Sequence, residues 1–148
     1  MLMLSAIALL AQTPDLPQAP MSLSLVGVGR FANLVDMASL KSGSDSVEIR
    51  SLQVSEKDML IGDKAFIGGW SWWRFDCARR TADRLDFASL TSDLIEGPRT
   101  PENQPPFPAS PGGDAAELLA VACTEVELPL GTTSLSEAVR IAREAMAY

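Results

Sequence analysis

Two cysteines, 46 positions apart, constrain this chain more than any other feature, because each closes a segment of different character. Cys77 ends the run W-S-W-W-R-F-D-C, which begins at Trp70 and holds all three tryptophans of the chain. Read as a strand with period two, it places Trp73, Phe75 and Cys77 on one face and Trp70, Trp72, Arg74 and Asp76 on the other. Cys123 ends the run D-A-A-E-L-L-A-V-A-C, which reads as a helix. Asp114 stands at N-cap with Glu117 three residues on, the capping-box spacing that satisfies free N–H groups. Leu119 and Cys123, four apart, then share a face with small alanines, which let a helix approach a sheet closely. A bond between the cysteines would pin that helix to the sheet, and Trp73, Phe75 and Cys77 are expected in the core.

Whether the thiols join depends on compartment. The chain opens MLMLSAIALLAQTPDLPQAP, an apolar run as long as a signal-peptide core and too short for a membrane span. Export is the expectation, with cleavage after Ala11 and an extended linker holding Pro14, Pro17 and Pro20. No Lys or Arg precedes the apolar run, which leaves a start at Met21 or a buried amino-terminal element as the other readings. In a short exported chain two cysteines are expected to pair, giving Cys77–Cys123. A loop of that length makes the bond worth about 4 kcal/mol on chain-entropy grounds, against a typical stability of roughly 5–15 kcal/mol. The rival reading, a redox-active thiol, lacks C-x-x-C spacing and a histidine neighbour.

Composition removes several classes of function. Hydrophobic residues at 47% with 21% charged fit a folded globular chain, and 148 residues fit one domain, assigned here to 21–148 after a leader and linker at 1–20. A formal net charge of −7 argues against nucleic acid, which demands a positive surface. The chain has no histidine, which eliminates histidine-based triads, HExxH zinc sites and facial-triad iron sites. No phosphate loop or metal-ligand spacing occurs, so no cofactor, metal or transmembrane span is expected, and the protein is not expected to be an enzyme. Lys41, Lys57 and Lys64 offer no serine–lysine pairing.

Along the chain, M-S-L-S-L-V-G-V at 21–28 alternates as a half-buried strand, with Gly27 and Gly29 suggesting a bulge or bend. Residues 31–40 read as a second strand and the K-S-G-S-D-S run at 41–46 as a turn. In 46–54 the apolar parity changes near Ser51, from Val47 and Ile49 to Leu52 and Val54, which calls for a bulge or for burial on both faces. The stretch 56–69, ending in Gly68-Gly69, reads as a connection. A turn is expected around Thr81-Ala82-Asp83, followed by a strand in which Leu85, Phe87 and Ser89 alternate with Arg84, Asp86 and Ala88. Six prolines between Gly97 and Gly113 exclude helix and interior strand, leaving a long ordered loop or a crossover. S-L-S-E at 134–137 opens a second helix with Leu135, Ala138, Val139, Ala142 and Met146 on one stripe.

The W-R-F-D-C-A-R-R run at 73–80, V-D-M-A-S-L at 35–40 and F-P-A-S-P-G-G-D-A-A-E-L-L-A-V-A-C ending at Cys123 together resemble the surface-adhesin protein E-like family of Gram-negative bacteria. The resemblance spans about 22–123. It implies a small exported α+β protein whose antiparallel sheet carries a helix tethered to its concave face by the disulfide. It also implies binding rather than catalysis. The chain departs from the family pattern in lacking a lipobox, in residues 124–148 with their additional carboxy-terminal helix, and in its proline loop.

The candidate binding residues are Trp70, Trp72 and Arg74, on the face opposite the cysteine, since aromatic residues and Arg are enriched in binding surfaces. Three readings of that face stand open: cover by the carboxy-terminal helix, an interface with a protein partner or a second copy, or a platform on which a ligand stacks. Arg79, Arg80 and Arg84, interleaved with Asp76, Asp83 and Asp86, read as solvated ion pairs, and Glu125 and Glu127 as solvated carboxylates. The expected protein is therefore periplasmic, secreted or at the cell surface and binds a protein partner by a sheet face or edge. The alternative is a periplasmic accessory or envelope-assembly protein with a bacterial partner.

Overall fold

The structure, a computed structural model, describes residues 20–147. The expected leader and most of the expected linker, at 1–19, lie outside the described residues. Five long strands form an antiparallel meander: β1 (Leu23–Val28), β2 (Phe31–Ser42), β3 (Val47–Ile61), β4 (Lys64–Asp76) and β5 (Thr81–Thr91). Two short strands, β6 (Thr100–Pro101) and β7 (Phe107–Pro108), pair along the outer edge of β5. Two helices follow, α1 (Asp114–Ala122) and α2 (Leu135–Met146). This is an α+β fold.

The helices lie on opposite faces of the sheet, and the strands show why. Neighbours in a strand point to opposite sides, and Leu34 belongs to the cluster with Ala138, Val139 and Ala142 of α2, whereas Val35 belongs to the one with Leu118, Leu119 and Ala122 of α1. A sheet buried on both faces also explains the parity change in β3. Arg50, Ser51 and Leu52 pair in unbroken register with Trp72, Ser71 and Trp70, so there is no bulge: Ile49 serves the α1 side and Leu52 and Val54 the α2 side. The bulge expected at Gly27 is present, between Leu25 and Gly27.

Several boundaries differ from the sequence reading. The stretch 56–69 is not a connection. β3 runs on to Ile61 and β4 begins at Lys64, joined through Gly62, whose φ of +64° suits a tight hairpin turn. Gly68 and Gly69 sit inside β4 because nothing larger fits. A Cβ at Gly68 would lie 1.9 Å from the Gln53 carbonyl oxygen, and one at Gly69 would lie 2.5 Å from the Phe87 ring. The turn expected at 81–83 lies earlier, between Asp76 and Thr81, with Arg80 at φ +55°. A bulge opposite Trp72 and Trp73 then interrupts the alternation of β5 at Leu85. The proline-rich segment is ordered by β6 and β7 against β5.

The helix starts diverge. α2 begins as expected, with Ser134 as N-cap accepting from the Glu137 N–H. α1 does not: its N-cap is Gly113, without a side-chain cap bond, and Asp114 is the first helical residue. There its carboxylate still favours the positive end of the helix dipole. Residues 124–134 carry the chain from the α1 face to the α2 face around the edge of β1. Leu23 and Thr132 exchange backbone hydrogen bonds of 2.9 and 2.8 Å, and Ser24 Oγ donates to the Pro129 carbonyl. Gly131 is needed there, since a Cβ would lie 2.7 Å from the Leu23 backbone.

Candidate binding face

The disulfide forms between Cys77 and Cys123, with Cα atoms 5.8 Å apart, so the end of β4 is tied to the C-cap of α1. Phe75 and Trp73 lie beside it in the α1-side core, their rings stacked at 5.7 Å. The Trp73 indole N–H donates to Ser51 Oγ at 2.9 Å, which satisfies the polar edge of a buried tryptophan. This is the face on which period two places Trp73, Phe75 and Cys77.

The opposite face carries Trp70, Trp72 and Arg74, and strand register arranges it as a grid of four rows. Ala32, Val54, Gly68 and Leu90 form the first, and Leu34, Leu52, Trp70 and Ala88 the second. These two rows are apolar, belong with α2 to one core, and place Trp70 at only 3% exposure. The third row is Asp36, Arg50, Trp72 and Asp86, and the fourth Lys41, Glu48, Arg74 and Asp83. These two rows are polar apart from Trp72. The three candidate residues are thus on one face but in different surroundings: Trp70 is packed in the core, Trp72 is half-buried at its margin, and Arg74 is exposed.

Two arginines that the sequence reading passed over complete this surface. The Arg50 guanidinium lies 4.1 Å from the Trp70 ring centroid, and that of Arg99 lies 4.1 Å from the Trp72 centroid. Such cation–π stacks contribute roughly 0.5–2 kcal/mol each and hold the indoles in place. Arg50 is fixed in turn by Asp36, whose Oδ2 accepts from Nε at 2.8 Å while Oδ1 accepts from the Ser22 and Ala38 N–H groups. Asp36 is almost fully buried, and three donors meet its carboxylate oxygens. Arg99 is held by Asp86 at 2.5 Å, and Arg74 pairs with Glu48 at 2.9 Å. Arg50 was visible as an alternating position in β3, but Arg99 arrives from the proline-rich loop through β6, a placement no local pattern encodes. A hollow of about 560 Å³ opens beside Trp70, between Met21, Arg50, Leu94 and the start of α2.

The arginines expected to pair with neighbouring aspartates mostly find other partners. Arg79 reaches Asp76 at 3.9 Å, but Arg84 pairs with Glu102 and Arg80 with Glu125, which ties the β4–β5 turn to the segment after α1. Glu125 raises the Arg80 pKa by hydrogen bonding and by its charge. Glu125 is therefore not a free carboxylate. In α2, Arg140 bonds both Glu137 and Glu144, which lowers the Glu137 pKa. Among the described residues no group of three or more Cys, Asp or Glu side chains is placed to hold a metal ion, and no helix is long and apolar enough to cross a membrane.

No protein-family model matches this sequence, and no curated protein matches it. Solved structures do. Crystal form II of Haemophilus influenzae protein E superposes with a TM-score of 0.55 at 12% identity, covering 78% of this chain and 95% of that one. A second structure of protein E gives 0.54 at 12%, covering 78% and 92%. The chain has a protein E-like fold. A third structure, of protein E from non-typeable Haemophilus influenzae, covers 92% of this chain and 95% of its own at 11% identity, with a TM-score of 0.50. The protein E-like fold is shared at the level of strands and helices, and the rows of side chains described above are this chain's own.

Proposed function

We propose that this is an exported, non-catalytic binding protein that engages a protein partner with the uncovered rows of its α2-side face. The observation that supports this most is the limit of α2. It packs on the apolar rows across β1, β2 and β3, in one core with Trp70, and leaves Trp72, Arg74 and Arg99 without a helix over them, with Trp72 pre-stacked under a guanidinium. Tryptophan and arginine give large contact area at low entropic cost once fixed, which is why they dominate the energetics of interfaces. Export is supported by the disulfide, which persists in oxidising compartments, and by the protein E-like fold together with the apolar leader. The non-catalytic reading rests on a sequence with no histidine and no recognisable nucleophile pairing.

The test is a crosslinking pull-down from the native cell envelope with wild-type protein and Trp72→Ala. A partner captured by the wild type and lost from a Trp72→Ala protein of unchanged circular dichroism supports the reading. Equal capture by both places the interface elsewhere. Fractionation separates the two classes of partner: protein confined to the periplasm excludes direct adhesion to a host surface and favours the envelope-accessory alternative.

A further inference from the structure

A second surface, remote from Trp72, has features of its own. β1 is the terminal strand of the sheet, and among the described residues its outer edge is bridged at Leu23 alone, by Thr132. In an antiparallel ladder alternate residues turn their N–H and C=O groups the same way, so Leu25, opposite Leu34, directs its backbone outward like Leu23. Among the described residues, 25–28 have no backbone partner on this side, and although the bulge between Leu25 and Gly27 breaks the alternation, Leu25 still offers an extended chain a point at which to add.

Beside that edge lies an apolar groove of about 310 Å³ between Val26, Ala120 and Val121 of α1, and Val126 with Leu128. Val126, on its wall, is 49% exposed, so the groove opens to solvent. Its one charged wall is Glu117. This carboxylate occupies the space that a side chain at Gly27 would fill, directly over the edge strand. Partial burial, with Asp114 nearby, raises its pKa. Neither Glu117 nor Glu127 takes part in an ion pair among the described residues, unlike Glu125, which pairs with Arg80. A partly desolvated acid without a cation, set over an open strand edge, is complementary to a basic side chain arriving on an added strand.

We infer that residues 25–28 form a docking edge for an extended basic peptide segment of another protein, which adds as a strand, places one apolar side chain in the Val26–Val121 groove and sets a Lys or Arg against Glu117. A second copy of this chain fits less well. Twofold pairing of two β1 edges brings two Glu117 carboxylates together and supplies no cation between them, on a chain whose net charge is −7. The inference uses a surface separate from the Trp72 face and stands or falls without it.

The experiment titrates oxidised protein against three labelled, end-capped hexapeptides: KVKVKV, EVEVEV, and KVKVKV N-methylated at alternate residues. Fluorescence anisotropy reports affinity and amide chemical shifts report location. KVKVKV is expected to bind with shifts centred on Leu25, Val26, Gly27 and Glu117. N-methylation, which removes the strand's hydrogen bonds, is expected to weaken it on the order of tenfold. Glu117→Gln is expected to weaken it roughly threefold without lowering the melting temperature, Trp72→Ala is expected to leave it unchanged, and EVEVEV is not expected to bind. Equal binding of the N-methylated peptide, shifts centred on Trp72, no binding of KVKVKV, or a concentration-dependent dimer that pairs β1 edges would each overturn the inference.

Discussion

Trp70 and Trp72 sit two residues apart on one face of one strand and have different fates, and only the row each occupies separates them. Trp70 shares its row with Leu34 and Leu52 under the α2-side core, so Trp70→Ala is expected to cost about 3–5 kcal/mol in urea unfolding. Trp72 shares its row with Asp36, Arg50 and Asp86, so Trp72→Ala is expected to cost clearly less and to act on association. Period two made the shared face legible, but the boundary of α2 over it depends on tertiary packing and could not be read locally. Glu117 gives a pH signature. Its raised pKa means that the folded state holds the proton more firmly than the unfolded one. The group therefore favours folding at low pH, and that contribution is lost as pH rises through the folded pKa. Glu117→Gln is expected to gain stability relative to wild type as pH climbs from about 4 to about 7, measured as the difference in urea midpoints. A constant difference would contradict the assignment.

Single elements carry their own strain and their own tests. α1 ends in a Schellman motif: the Glu125 N–H donates to the Ala120 carbonyl at 2.8 Å and the Thr124 N–H to that of Val121 at 3.1 Å. The residue between cap and exit is Thr124 at φ +58°, a β-branched side chain where glycine is usual. Thr124→Gly is therefore expected to stabilise the protein by about 1 kcal/mol, visible as a raised melting temperature, while the same change at an ordinary helical position destabilises. In β4 the reverse holds, and Gly68→Ala is expected to destabilise strongly because its Cβ meets the Gln53 backbone. Those glycines are also why 56–69 looked like a connection: a sequence pattern cannot distinguish a glycine that breaks a strand from one that admits a neighbouring backbone. The helix at 134–137 was legible because its capping serine is local chemistry. The start of α1 was displaced by one residue because Asp114 fits equally well as a first-turn acid.

At the scale of the molecule, the sheet is sandwiched between helices that reach opposite faces of the same meander. The disulfide fixes one of them, and residues 124–134 route the chain around the β1 edge to the other. Replacing both cysteines by serine is expected to lower the unfolding free energy by up to about 4 kcal/mol, with α1 showing faster amide exchange than α2. The pairing itself was legible, since two cysteines in a short chain expected to be exported have few alternatives. That both faces are buried was signalled only by the parity change in β3. The arrangement leaves the rows holding Trp72 and Arg74 without a helix over them, and these rows are the proposed contact surface. The most direct measurement is site-specific photocrosslinking in the native cell envelope, with the photoreactive residue at position 74 and, as a control, in place of Gln104, which lines a hollow with Trp73 on the α1 side of the sheet. One discrete adduct is expected from position 74, lost in the Trp72→Ala background and absent from position 104. Adducts from position 104 with none from position 74, in protein that retains its disulfide, would contradict the proposed contact surface.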